Sequence, residues 1–200
     1  KGFVPANDLL AEGLAAPNFG GTIKLVKGEH GSFQGVYIGA GPYLSVRTSA
    51  AFDAGLTGVL ATGVNVPNAA FPISNANEGQ VALAITGGYR GRFAWGSGIG
   101  SGTDREGLYV AANYNYLHGF QYENDAMAIT LRTAPDGLLI DASNILLNHR
   151  HATSGHGLSM DVGVGAVVDR WEVGFGASGL GNHINWSGVE QTTYTLPSLL

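Results

Sequence analysis

Only 12% of the 200 residues are charged, about half the roughly 25% usual for soluble globular domains. The net charge of −5, with no basic cluster, gives nucleic acid no electrostatic footing, and the absence of cysteine excludes a disulfide framework and a thiolate metal centre. No apolar run reaches the ~18 residues of a transmembrane helix, which leaves a closed barrel as the natural membrane candidate and a glycine-rich, weakly charged secreted β-protein as its competitor.

Residues 1–31 read as a separate N-terminal segment, helical or irregular. Asn7 is placed to cap a short helix carrying Leu9, Leu10, Ala11 and Leu14, which Pro17 and the Gly20-Gly21 pair would end. It is expected either to pack at the domain edge or to serve as a plug or periplasmic piece. Ile23 and Leu25 then lead into a Gly28-Glu29-His30-Gly31 turn. The chain opens on Lys1 without a charged-then-apolar leader, so any signal peptide is expected to lie outside it.

From residue 32 to 200 the pattern is strand and turn. Val36, Ile38 and Ala40 alternate with Tyr37, Gly39 and Gly41, and Leu44 and Val46 resume the alternation after Pro42. Residues 65–78, rich in Asn with two prolines, read as a long loop. Val81, Leu83, Ile85 and Tyr89 form the next stripe, and a glycine-rich stretch at 96–102 leads into a charged connection at 103–106. Residues 107–120 carry no formal charge: Leu108, Val110, Ala112, Tyr114 and Tyr116 share one face, as in a lipid-facing strand that ends at an aromatic girdle. Met127, Ile129 and Leu131 continue the alternation to an Asp136-Gly137 turn, residues 149–156 read as a polar loop, and a last hairpin is expected around Ser187-Gly188.

The most informative segment is 158–178. Leu158, Met160, Val162, Val164, Ala166 and Val168, then Trp171, Val173, Phe175 and Ala177 after an Asp169-Arg170 turn, place one apolar face on a hairpin. The other face is mostly Gly and Ser, where a soluble sheet would show water long polar side chains. The arrangement expected is apolar to lipid and small-polar to the lumen; a soluble β-sandwich or barrel with that apolar face as its core is the alternative.

Residues with chemistry to offer are few. His149, His151 and His156 are the best metal candidates, since histidines two apart on a strand share a face, but no supporting carboxylate lies nearby before Asp161. Ser159, Ser178, Ser187, His118 and His183 offer nucleophile and base types without the spacing of an elbow or triad, and the glycines at 96–100 lack the strand, helix and lysine of a phosphate loop. No catalytic residue and no cofactor are expected. Arg47, Arg90, Arg92 and Arg132 are expected to face the lumen or lie at its rims, pairing with Asp or Glu inside; Arg90 and Arg92 share a face opposite Tyr89 and Phe93, and with Asp161 and Glu172 they are the expected lumen residues.

The run from Asp169 through Trp171, Gly174, Leu180 and Gly181, followed by Ile184-Asn185-Trp186, resembles a strand-turn-strand signature of bacterial outer-membrane barrels. That group includes the long-chain fatty-acid transporters (FadL-like) and the conjugal-transfer TraF-like and PorV-like barrels. Residues 107–114 also look like a barrel strand of this group. The resemblance implies the outer membrane of a Gram-negative bacterium, with lipid as the surrounding partner. It implies passive transport or binding of a small hydrophobic solute, or a structural part of an envelope assembly. The fold expected is an all-β, antiparallel up-and-down barrel of transmembrane type, or part of one, with roughly eight to ten strands.

Overall fold

The computed structural model describes residues 7–95, 99–100 and 105–198, so most of the expected 96–106 connection lies outside the described residues. The chain is nearly all strand: β1 (Asp8–Ala15), β2 (Phe19–Lys27), β3 (Phe33–Phe52), β4 (Ala70–Phe93), β5 (Gly107–Thr133), β6 (Leu139–Ala152), β7 (Ser154–Val168), β8 (Trp171–Ser187) and β9 (Glu190–Ser198). Among the described residues one α-helix, α1 (Ala54–Thr62), joins β3 to β4, and a 3-10 turn lies at Glu29–Gly31.

The pairing reduces these nine strands to six long ribbons. β1 and β2 both pair with β3 and are one edge strand broken around Pro17. β6 and β7 run consecutively along β5, and β8 and β9 pair with β7 and β6 respectively. The result is a single antiparallel meander, each ribbon beside its sequence neighbour, with the first and sixth ribbons as unpaired edges among the described residues. The sheet is not closed into a barrel.

The alternation places residues as the sequence suggests from β3 onward. Even positions 34–46 of β3 are exposed, whereas odd positions 35–45 are buried or half-buried. The 158–178 hairpin forms in the expected register: Val164 faces Phe175, Ala166 faces Val173, and Gly163 and Gly165 face Gly176 and Gly174. Its two-residue turn is made by Asp169, which adopts a left-handed φ of 51°, a conformation Asp tolerates better than most residues. The turns at 28–31 and 136–137 also form. The hairpin expected around Ser187-Gly188 does not: β8 pairs with β7 and β9 with β6, so the chain runs on through 188–189 as one ribbon.

Three further expectations are corrected. Residues 8–15 form an edge strand rather than a helix; pairing with residues 44–51 satisfies their backbone and overrides local propensity. The segment read as a loop at 65–78 enters β4 at Ala70, and Pro72 is accommodated although it donates no ladder bond. Residues 149–156 lie in β6 and β7, apart from the break at Thr153. The helix is α1 instead: Asp53 accepts from the backbone N–H groups of Gly55 and Leu56 at 2.7 and 3.3 Å, and Gly63 ends it at a φ of 71°.

The sheet curls about its small-residue face. Asn182 on β8 donates to the Tyr43 hydroxyl on β3 at 2.7 Å, bridging the sixth ribbon to the second. Ile184 packs against the buried cluster of Tyr43, Ala82, Ala84 and Leu117. Deeper along this inner face Trp186 stacks on Tyr122 at 5.5 Å. Gly119 and Gly155 are required there, because a Cβ on either would sit 2.5 or 2.7 Å from the indole ring.

Candidate functional site: a filled inner face and an apolar outer belt

The inner face carries a hydrogen-bonded network that touches all six ribbons. Tyr37 donates to Asn18 at 2.9 Å, and Asn18 donates in turn to the Thr86 hydroxyl. Thr86 donates to Asn115 at 2.7 Å, and Asn115 donates to Asp161 at 2.8 Å. The other carboxylate oxygen of Asp161 accepts from Ser178 Oγ at 2.7 Å and from the Gly179 N–H at 3.0 Å. Arg90 donates to Asn113 at 2.6 Å and lies over the Tyr37 ring, 4.5 Å from its centroid. Thr86 and Asn115 are buried, so their polar groups need these partners. What remains open among these side chains is a cavity of about 140 Å³.

The expected lumen residues are on this face, but their partners differ from expectation. Arg90 binds an Asn and a Tyr ring, and buried Arg92 donates to the carbonyls of Gly31 and Glu106 at 2.8 and 2.9 Å. Arg47 does have a carboxylate partner, lying 3.2 Å from Glu12. Asp161 is the hub of the network. Glu172 shares the inner register through Val167 but is exposed at the sheet edge. Sequence parity identifies these positions; it does not reach Asn18, Thr86, Asn115 and Ser178, because nothing local marks an Asn or Thr as a partner of a residue dozens of positions away.

The histidines divide. His149 and His151 stack at 6.0 Å on the outer face, and His149 lies 2.7 Å from Asp125 on the neighbouring strand. His156 sits further along the same long ribbon, opposite His118. Among the described residues no three His, Asp or Glu side chains converge as metal ligands. The serines and histidines are also separated: Ser159 is buried on the inner face and Ser178 is bound to Asp161, whereas His118 stands outside against Phe120.

The outer face is the less ordinary surface. Phe19, Ile23, Val36, Ile38, Leu44, Val46, Ile85, Phe93, Tyr114, Tyr116, Met160, Val162, Val164, Trp171, Val173, Phe175 and Leu180 are all exposed, Phe175 at 76%. Register makes these one belt: Ile38, Gly87 and Tyr114 lie in one cross-strand row, and Val110, Val164 and Phe175 in another. Across six ribbons about 4.8 Å apart and roughly nine residues of 3.3 Å, the belt covers on the order of 800 Å². The largest apolar patch on a typical soluble monomer is about 300–600 Å². On its lower side the belt ends in polar rows containing Glu123, Asp125, His149, His151 and Glu190.

Compared with protein-family models, curated proteins and solved structures, the chain matches none.

Proposed function

We propose that this chain is a membrane-embedded β-sheet protein of the outer-membrane barrel type, with lipid on the belt and a filled, polar interior. The observation that carries the reading is the orientation of the two faces. A soluble β-domain encloses its apolar face and shows water its polar one. Here Val164 and Phe175 are exposed while Thr86, Asn115 and Ser159 are buried. The belt's extent fits as well: residues 108–116 on β5 and 158–166 on β7 are nine-residue stretches, within the ~9–11 needed to cross a bilayer at a tilt.

Within that class a structural role in a bacterial envelope assembly is favoured over open passage, because side chains of all six ribbons meet across the interior. A second reading, binding of a small hydrophobic solute, has one observation in its favour. Beyond the belt, Leu9, Leu10, Ala51, Ala76, Ala126, Met127 and Ala128 help line a pocket of about 470 Å³.

The test is fractionation of the native protein with sarkosyl extraction, followed by gel mobility with and without boiling. Retention in the insoluble membrane fraction with a heat-dependent mobility shift is the expected result. A monodisperse protein in detergent-free buffer would refute the reading and require the belt to be covered in another way.

A further inference from the structure

The two unpaired edges of the sheet face each other. A cavity of about 450 Å³ is lined by Glu12, Gly13 and Leu14 of the first ribbon and by Asn182, His183 and Ile184 of the sixth. The 140 Å³ cavity is bounded by Leu14, Ala16 and Asn18 on one side and Ser178, Gly179 and Asn182 on the other. As one edge is followed forward the other runs backward, which is the antiparallel sense that an even number of ribbons imposes.

From this juxtaposition we propose that the first and sixth ribbons close on one another as an antiparallel seam when the belt enters lipid. The pairs would be Glu12 with Ile184, Leu14 with Asn182 and Asn18 with Ser178, and further along Phe19 with Ala177, Gly21 with Phe175 and Ile23 with Val173. This inference rests on the membrane reading above, and that reading supplies its driving force. In hydrocarbon an unpaired backbone N–H or C=O finds no partner, so an open edge within the belt is not tolerated.

The register is selected by its side chains. Asn18, Ser178, Asn182 and Ile184 stand on the inner face, where they meet the network or the Tyr43 cluster, and Glu12 reaches Arg47. Phe19, Ile23, Val173 and Phe175 stand exposed on the outer face. Apart from Ala16 opposite the exposed Leu180, where β8 bulges, the pairing matches inner residues with inner and apolar with apolar. It also sets Lys24 opposite Glu172, a favourable cross-strand charge pair, and it sets the Phe175 ring over Gly21, around whose missing Cβ the space is open. A shift by one residue would put Ile23 against Glu172 and lose every match. The chain's own edge is a better occupant than a foreign strand, because the Asn182–Tyr43 bond already ties the sixth ribbon inward across the gap.

The chain has no cysteine, so engineered pairs report without background. Four double variants recombine the same sites: Phe19→Cys/Ala177→Cys and Ile23→Cys/Val173→Cys in register, Phe19→Cys/Val173→Cys and Ile23→Cys/Ala177→Cys out of register. After mild oxidation of isolated membranes, the in-register pairs should form an intramolecular disulfide roughly tenfold more than the others, since a disulfide needs Cα atoms about 4.4–6.8 Å apart. Membrane-retained protein with equal crosslinking in all four, with none, or with disulfides only between chains would overturn the seam and leave the membrane reading standing. Recovery of the uncrosslinked protein as a soluble species would overturn the membrane reading itself, and closure with it.

Discussion

Asp161 is where the interior can be tested most sharply, because one carboxylate accepts from two neighbouring ribbons. Its Oδ2 accepts from Asn115 Nδ2, and its Oδ1 accepts from Ser178 Oγ and the Gly179 N–H. A hydrogen bond to a charged group contributes about 1.5–3 kcal/mol, and a buried donor left without a partner costs about 1–3 kcal/mol. Asn115 is 8% exposed, so its amide has no ready access to water, whereas Ser178 is exposed and can turn to solvent. Asp161→Ala should therefore destabilise the fold by about 3–5 kcal/mol, mostly through the Asn115 side and the loss of order at 178–182. Asp161→Asn keeps one acceptor oxygen and should cost about 1–2 kcal/mol; Ser178→Ala should stay below about 1 kcal/mol. The assay is urea unfolding in detergent micelles, followed by tryptophan fluorescence and by loss of the fast-migrating unboiled gel species. An Asp161→Ala variant within about 0.5 kcal/mol of the wild type, on the scale of neutral surface changes, would refute the claim that the network holds the sixth ribbon. So would equal losses for the Ala and Asn variants.

Val164→Arg places a charge in the middle of the belt and should lower the membrane-assembled fraction by the equivalent of about 2–4 kcal/mol; an exposed position on a soluble sheet would change stability by less than about 0.5 kcal/mol, and refolding yield into vesicles separates the two. Gly119→Ala drives a methyl into the Trp186 ring, and should cost about 1–3 kcal/mol and broaden the near-ultraviolet dichroism of the Trp186–Tyr122 stack; an unchanged spectrum would remove that glycine's rationale. Tyr122, beyond the belt, has its pKa raised by burial and then by the nearby Glu78 carboxylate. Its neutral form is thus favoured in the folded state, so the stabilisation is complete below the ordinary tyrosine value near 10 and is lost as pH rises through the higher folded value. Tyr122→Phe should flatten the loss of stability above about pH 10, as measured by urea midpoints across an alkaline series.

The parts of the fold legible in the sequence are those governed by a period of two. The belt residues of β3, β7 and β8 can be assigned to one face because Gly, Ser or Tyr mostly occupies the other. The edge strand β1 is hidden because leucines at 9, 10 and 14 lie on both of its faces, so the helical spacing is the clearer signal and only pairing with β3 decides. The Asn and Pro content of 65–78 masks β4 in the same way. By contrast α1 does carry its signal, Asp53 before and Gly63 after an Ala/Leu-rich stretch, but it sits within a region that otherwise reads as strand and turn. Ribbon length is not legible either. Pro17 and Thr153 look like strand ends, yet the chain crosses each and continues beside the same partner. The site is half legible: parity gives which residues point inward, but Asn18 and Thr86, 68 positions apart, become partners only through the curl.

Magnitudes favour covering the belt. An apolar area on the order of 800 Å², at about 25 cal/mol per Å², represents roughly 20 kcal/mol of burial forgone if it stands in water. That stabilisation is gained only when lipid or a partner covers the belt. The inner face cannot compensate by opening outward. Everting the sheet would strip Thr86 and Asn115 of their partners while enclosing a face whose side chains, Phe175, Trp171 and Tyr116 among them, are too large for the space that glycines at 119, 155, 163, 165, 174 and 176 now leave. Small residues inside and large ones outside therefore fix the direction of curl, and the direction of curl puts the belt on the convex side. Lipid satisfies that geometry without any rearrangement of the ribbons, provided that the edge between β2 and β8 is paired. The belt and the seam are thus two faces of one requirement: apolar side chains turned outward need a non-aqueous solvent, and a non-aqueous solvent needs a sheet without free edges.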